Sequence, residues 1–86
     1  MPTLARFYGL RVYIHWHDHP PPHVHIKSGE HKASMHIETL EIIHGRLPKR
    51  VRLLVLEWAM QHRGELRHAW AAVRAAEKPP TIEPLD

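Results

Sequence analysis

The four residues Ser28-Gly29-Glu30-His31 restrict the folds open to this chain more than any other segment. Apolar residues alternate with polar ones on both sides, with Val24 and Ile26 before the turn and Ala33, Met35 and Ile37 after it. A two-residue Gly-x connection suits a type II′ turn, whose twist matches that of the strands it joins. With Gly29 and Glu30 as the turn, Ser28 faces His31, Ile26 faces Ala33, Val24 faces Met35 and His23 faces His36. In that register all five apolar residues fall on one face, because side chains two apart point the same way. Turn chemistry and hydrophobic pattern agree, so an antiparallel hairpin anchors the fold.

Other strands extend this hairpin. Arg11 to Trp16 alternates, which turns Val12, Ile14 and Trp16 inward and Tyr13, His15 and His17 outward. The Asp18–Pro22 loop then most simply pairs His17 with His23 and His15 with His25. A first strand spans Thr3 to Tyr8, and Phe7 and Tyr8 flank Gly9 at a turn or bulge. Glu41-Ile42-Ile43-His44 forms a last strand after a turn at Thr39-Leu40. Beyond Leu47 the period changes. Pro48 suits a first helical position, since its missing N–H costs nothing there. Val51, Leu54, Val55, Trp58 and His62 make a helical stripe, widened by Leu53, Leu56 and Met60. Gly64 is expected to break this helix, and Leu66, Ala69, Trp70 and Val73 make a second stripe. The expected architecture is a single α+β domain over residues 1–86. A small antiparallel sheet of three to five strands lies within 3–45, and two C-terminal α-helices within 48–77 pack on one face of it. An extended tail over 78–86 is either disordered or packed along a neighbouring surface.

Ten of the 86 residues are histidine, and six of these lie between positions 15 and 31. His15-x-His17 and His23-x-His25 each place two imidazoles on one side of a strand. In the registers above, His15, His17, His23, His25 and His36 share the outer face, with Asp18 and His19 at its end. There is no cysteine, so disulfides and thiolate metal sites are excluded, in keeping with a cytoplasmic location. The start Met1-Pro2-Thr3-Leu4-Ala5-Arg6 lacks the apolar core of a signal peptide, and no apolar run reaches the ~20 residues of a membrane span. The formal charge is +3 with neutral histidines, which favours polyanionic partners such as RNA or DNA. A chain this short has a modest core, so a homo-oligomer or a ligand would help it.

Arg6-Phe7-Tyr8-Gly9, Asp18-His19-Pro20-Pro21-Pro22-His23-Val24-His25, Leu47-Pro48, Glu57-Trp58 and His62-Arg63 together resemble a family of small bacterial and archaeal proteins, domain of unknown function 4160. The resemblance covers nearly the whole chain. Its most specific part is the D-H-x-P-P-H-x-H stretch, which singles out His19, His23 and His25. His15, His17, His31, His36 and His44 look particular to this chain, and Leu40 stands where relatives often carry a turn glycine. Genes of this family often sit beside a second small gene in the manner of toxin–antitoxin pairs. The resemblance therefore implies a small cognate partner protein encoded nearby and a nucleic-acid target.

Three chemistries use these residues. His19, His23 and His25 could hold zinc, nickel or copper, with Pro20–Pro22 stiffening the loop and Asp18 or Glu30 adding a carboxylate. His23-x-His25 with Glu30 has the spacing of a cupin metal motif, but the chain is too short for that barrel. The same histidines could serve metal-free RNA cleavage as general base and acid. Lys27 or Arg11 would then supply the cation and Tyr13 a stacking surface. Arg46, Lys49, Arg50 and Arg52 gather at the first helix start, where the dipole disfavours positive charge, and so could answer an anionic partner. The third reading is a non-catalytic domain that binds its partner through a sheet edge or the proline-rich tail.

Overall fold

A computed structural model describes residues 1–86. Five strands, β1 (Thr3–Phe7), β2 (Leu10–Tyr13), β3 (His23–Ser28), β4 (His31–His36) and β5 (Ile42–Gly45), precede two helices, α1 (Lys49–Gln61) and α2 (Arg63–Arg74). The strands form one antiparallel sheet in the order β1-β2-β3-β4-β5, each beside its sequence neighbour. The architecture is the expected α+β one. None of its helices is long and apolar enough to cross a membrane.

The central hairpin has the register read from the turn: Ser28 opposite His31, Ile26 opposite Ala33, Val24 opposite Met35 and His23 opposite His36. Gly29 has φ 58 while Glu30 is outside the positive-φ residues, as a type II′ turn requires. Tyr8 (φ 46) and Gly9 (φ 78) make the β1–β2 turn, which pairs Phe7 with Leu10 and Arg6 with Arg11. Leu40 takes φ 61 without being glycine; its N–H bonds to the His36 carbonyl at 2.8 Å and its side chain is buried, so core packing holds the strained turn. Gly45 (φ 79) closes β5 against β4 so tightly that a Cβ there would lie 2.2 Å from the Lys32 carbonyl oxygen.

The second hairpin differs from expectation. Tyr13, not His15, lies opposite His25, a shift of two residues. The strand stops at Tyr13 because the next backbone groups find other partners. The Ile14 N–H bonds the Pro2 carbonyl, and the His15 N–H bonds the Asp18 carboxylate. An even shift keeps each side chain that stays in the paired strands on its expected face. Trp16, expected inside, lies beyond the strand in a turn and is 40% exposed.

The inner face carries Leu10, Val12, Val24, Ile26 and Met35, all buried together with Leu4, Ile14 and Ile37. Val55, Trp58 and Ala59 of α1 and Leu66, Ala69 and Val73 of α2 close over them. Burial of side chains of this size stabilises by about 1.5–3 kcal/mol each before ordering costs. Leu53 and Met60, expected to widen the stripe, stay largely exposed. The helices part at His62 rather than at Gly64, which lies in the first turn of α2. His62 packs on Trp58, and its Nδ1 lies 2.6 Å from Glu65, an acidic residue favoured at a helix start. The tail is not free. Ile82 is buried, its N–H bonds the Leu4 carbonyl at 2.8 Å, and the Trp58 indole donates to the Glu83 carbonyl at 2.7 Å.

Candidate metal centre

After Tyr13 the chain turns back on itself, and Asp18 organises the turn. Its Oδ2 accepts the His15 N–H at 2.9 Å, satisfying a backbone group that the sheet no longer pairs. Its carbonyl accepts from Arg74 Nη1 at 3.1 Å, tying the loop to the end of α2. The carboxylate is thereby aimed across the outer face at β3. His25 Nε2 lies 3.0 Å from both Asp18 oxygens, and His23 Nε2 lies 3.4 Å from Oδ1. One donor atom from each of Asp18, His23 and His25 lies within 4.8 Å of the other two. All three residues are half-buried.

The rings are held by their surroundings. His23 Nδ1 lies 2.7 Å from the Pro21 carbonyl oxygen. A carbonyl only accepts, so Nδ1 carries a proton and Nε2 is the ring nitrogen left facing Asp18. Trp70 of α2 packs on the same ring at 5.4 Å between centroids. His25 stacks on Tyr13 at 5.3 Å with planes 22° apart, meets His15 edge-on at 4.3 Å, and has Ser34 Oγ 3.4 Å from Nδ1. That hydroxyl can accept or donate and so serves either tautomer of His25.

Burial works against ionisation of Asp18. The His15 N–H, the His25 hydrogen bond and the positive potential of the two imidazoles outweigh it and hold the carboxyl below its ordinary value. His25 is held below the ordinary imidazole value, chiefly by burial. His15 and His23 add to that effect, and Asp18 opposes it. Both directions describe one state, a charged carboxylate beside a neutral His25. A carboxylate and a neutral imidazole are the protonation states that a transition metal takes.

The separations from Asp18 are close to those that such an ion imposes. Bonds of about 2.0–2.2 Å put tetrahedral ligand atoms about 3.3–3.6 Å apart. The Asp18–His23 separation of 3.4 Å falls in that range and the Asp18–His25 separation of 3.0 Å lies just below it. Each histidine also has the second hydrogen bond typical of metal-ligating imidazole, to the Pro21 carbonyl and to Ser34. Three protein donors leave a coordination position for water or substrate.

Of the histidines named in advance, the structure brings His23 and His25 together and leaves His19 out. His19 is exposed and makes no hydrogen bond or ion pair; Asp18, its neighbour, faces the cluster instead. His17 is exposed in the turn, Glu30 stays at the hairpin tip, and His36 spends its Nδ1 accepting the Glu38 and Thr39 N–H groups. Tyr13 is unavailable for stacking a base. It is 6% exposed, with His25 on its ring and the Arg11 guanidinium 4.4 Å from its centroid. Arg11 also donates to Thr3 Oγ1, and Lys27 is exposed beside it on β3. Arg46, Lys49 and Arg50 are exposed around the start of α1, away from the cluster's contacts. Trp70, Arg74 and Ser34 escaped sequence reasoning because they come from α2 and β4, far along the chain. Only the outward position of Ser34 opposite His25 was within reach of the hairpin register.

The molecule is thus a five-stranded antiparallel meander backed by two helices, with a two-histidine, one-carboxylate cluster on its outer face. The chain belongs to the family described as Domain of unknown function (DUF4160), which matches residues 9–71. That span runs from the β1–β2 turn into the last part of α2 and includes Asp18, His23, His25 and Trp70. Neither a curated protein nor a solved structure matches the chain.

Proposed function

We propose that this domain binds a divalent transition metal (zinc, nickel or copper) through Asp18, His23 and His25. The observation that carries the reading is the convergence of three donors: His23 Nε2 and His25 Nε2 lie 3.4 and 3.0 Å from the Asp18 carboxylate, with His23 Nδ1 already committed to the Pro21 carbonyl. A divalent cation placed between them would be held by all three donors. A bound metal would supply Lewis-acid chemistry and a water of lowered pKa. Metal-free cleavage by His23 and His25 is less well supported. Both Nε2 atoms converge on one carboxylate, which would repel a phosphate, whereas general acid and base must flank the reacting group.

The wider setting we propose is a cytoplasmic component of the toxin–antitoxin type, acting with a small partner protein on nucleic acid. The partner is offered the free edge of β5, where Ile43 is 46% exposed; the proline-rich tail is already occupied by Leu4 and Trp58. The test is elemental analysis of untagged protein purified without a nickel column. Wild type and H19A should carry near-stoichiometric metal, and H23A/H25A should not. Failure of the wild type to hold metal, or equal zinc-induced thermal shifts in wild type and double mutant, would sink the metal reading.

A further inference from the structure

The cross-strand registers align four cations. Arg6 lies opposite Arg11, Arg11 opposite Lys27, and Lys27 opposite Lys32. Directly paired residues share a face, so β1, β2, β3 and β4 each give one basic side chain to a single row on the outer face. With strands about 4.8 Å apart the row is about 14 Å long. It continues towards Arg46, whose N–H bonds the Lys32 carbonyl at 3.1 Å. None of the four side chains is in an ion pair; Glu30, at the nearby turn, reaches none of them. Like charges directly opposite one another destabilise a sheet, so this row works against the fold in the absence of an anion.

The row is also shaped. Arg6, Arg11 and Lys27 line a shallow concavity of about 370 Å³ with Gly9 and Gly29 from the two adjoining turns. Both glycines have positive φ and open space where a Cβ would stand, so an anion can approach the backbone there. Arg11 is held in place by Thr3 Oγ1 at 2.8 Å and by the Tyr13 ring. The next outward row is Tyr13, His25 and Ser34. His25 therefore precedes Lys27 by two residues on β3, a distance of about 7 Å.

We propose that this row binds the phosphate backbone of a nucleic acid and carries the strand past the Asp18/His23/His25 cluster. The inference rests on the nucleic-acid target suggested above, but not on the metal, since no row residue is a ligand. An evenly spaced line of unpaired cations fits a linear polyanion better than a single small anion. The row holds no exposed apolar or aromatic side chain, which a membrane surface or a protein hot spot would use. With Tyr13 buried, recognition is of phosphate rather than base, and so indifferent to sequence.

The test is fluorescence anisotropy with labelled 20-mers of single-stranded RNA, single-stranded DNA and duplex DNA, over a salt series, with poly-glutamate as competitor. Wild type should bind nucleic acid with log K falling against log salt by about 0.7 for each phosphate contact on single strands. Arg6→Gln/Lys27→Gln/Lys32→Gln should lose tenfold or more at low salt and about two units of slope, while melting no lower than wild type. Lys49→Gln/Arg50→Gln/Arg52→Gln removes the same charge from α1 and should lose far less. Equal losses in the two triple variants, no binding by the wild type, or displacement by poly-glutamate as effective as by RNA would each overturn the proposal. Preference among the three oligonucleotides identifies the natural polymer within it. Metal content read on the same samples separates the two proposals: the row variant keeps its metal, and H23A/H25A keeps its nucleic acid.

Discussion

Replacing Asp18 with Asn tests the centre of the site with little change of shape. The carboxylate accepts two strong hydrogen bonds, from the His15 N–H at 2.9 Å and from His25 Nε2 at 3.0 Å. The carboxamide can keep both contacts, since its oxygen accepts from His15 and His25 can switch tautomer against Ser34. What is lost is charge assistance. Hydrogen bonds to charged groups contribute about 1.5–3 kcal/mol against about 1 for neutral ones. Two such bonds lose about 2 kcal/mol, and relief from burying a charge returns part of it. The net cost is about 1 kcal/mol, or about 4–8 °C in Tm for a domain of this size. Thermal unfolding of metal-free protein at pH 7.5 measures it. Added zinc separates the ligand role. At a hundredfold excess over Kd a ligand stabilises by about 2.7 kcal/mol, and a hundredfold loss of affinity reduces that to about 0.4. The zinc-induced rise in Tm should therefore fall to a few degrees in D18N. A variant that melts with wild type in the absence of metal, and gains as much from zinc, would refute the reasoning that places Asp18 at the hub.

Acid should destabilise the metal-free protein in two steps. His25 and Asp18 both have lowered values in the folded state, so the unfolded chain binds protons first and stability falls with pH. The first loss begins near the ordinary imidazole value of 6.5 and the second below the ordinary carboxyl value of 3.8. H25N should remove the first step; a Tm that is flat from pH 7.5 to 5 would contradict the assignment. G45A should cost far more than G9A. Both residues have positive φ, but only at Gly45 does the new Cβ meet backbone, so about 1 kcal/mol is expected for G9A and more than twice that for G45A in urea unfolding. Truncation after Lys78 should cost about 3–5 kcal/mol in the same assay. It exposes the surface covered by Ile82 and Leu85 and leaves the buried Trp58 indole N–H without the Glu83 carbonyl. A loss under 1 kcal/mol would mean that the tail is an ornament to the fold.

The fold was legible wherever a short turn coupled two alternating segments. Gly29-Glu30 determined the β3–β4 register residue by residue, and with it the opposition of Lys27 and Lys32. The longer connection after Tyr13 had no such rule. Its course is set by Asp18 capturing the His15 N–H, a side-chain competitor to strand pairing that alternation does not register. From that one event follow the two-residue shift, the exposure of Trp16 and the replacement of His19 by Asp18 in the cluster. The D-H-x-P-P-H-x-H stretch pointed to the loop that carries the cluster, but adjacent residues on an irregular backbone face different ways and spacing alone could not choose between them. The basic row shows the same limit. Two of its three pairings follow from two-residue turns at Tyr8-Gly9 and Gly29-Glu30, and the third, Arg11 with Lys27, depends on the register that was misread. Tertiary partners from α2, Trp70 and Arg74, left no local trace at all.

The tail has a kinetic consequence. Every strand in the meander pairs with its neighbour in sequence, so the sheet assembles through short loops. The contact between Ile82 and Leu4 instead closes nearly the whole chain, and the bond from Trp58 to Glu83 closes a further long loop. Closure of that length is the most costly entropically and becomes worthwhile only once the sheet and α1 are in place. Interactions made after the barrier leave the folding rate alone and slow unfolding. The last residues are thus expected to act as a latch on the lifetime of the native state: their removal should speed unfolding and leave the folding rate unchanged.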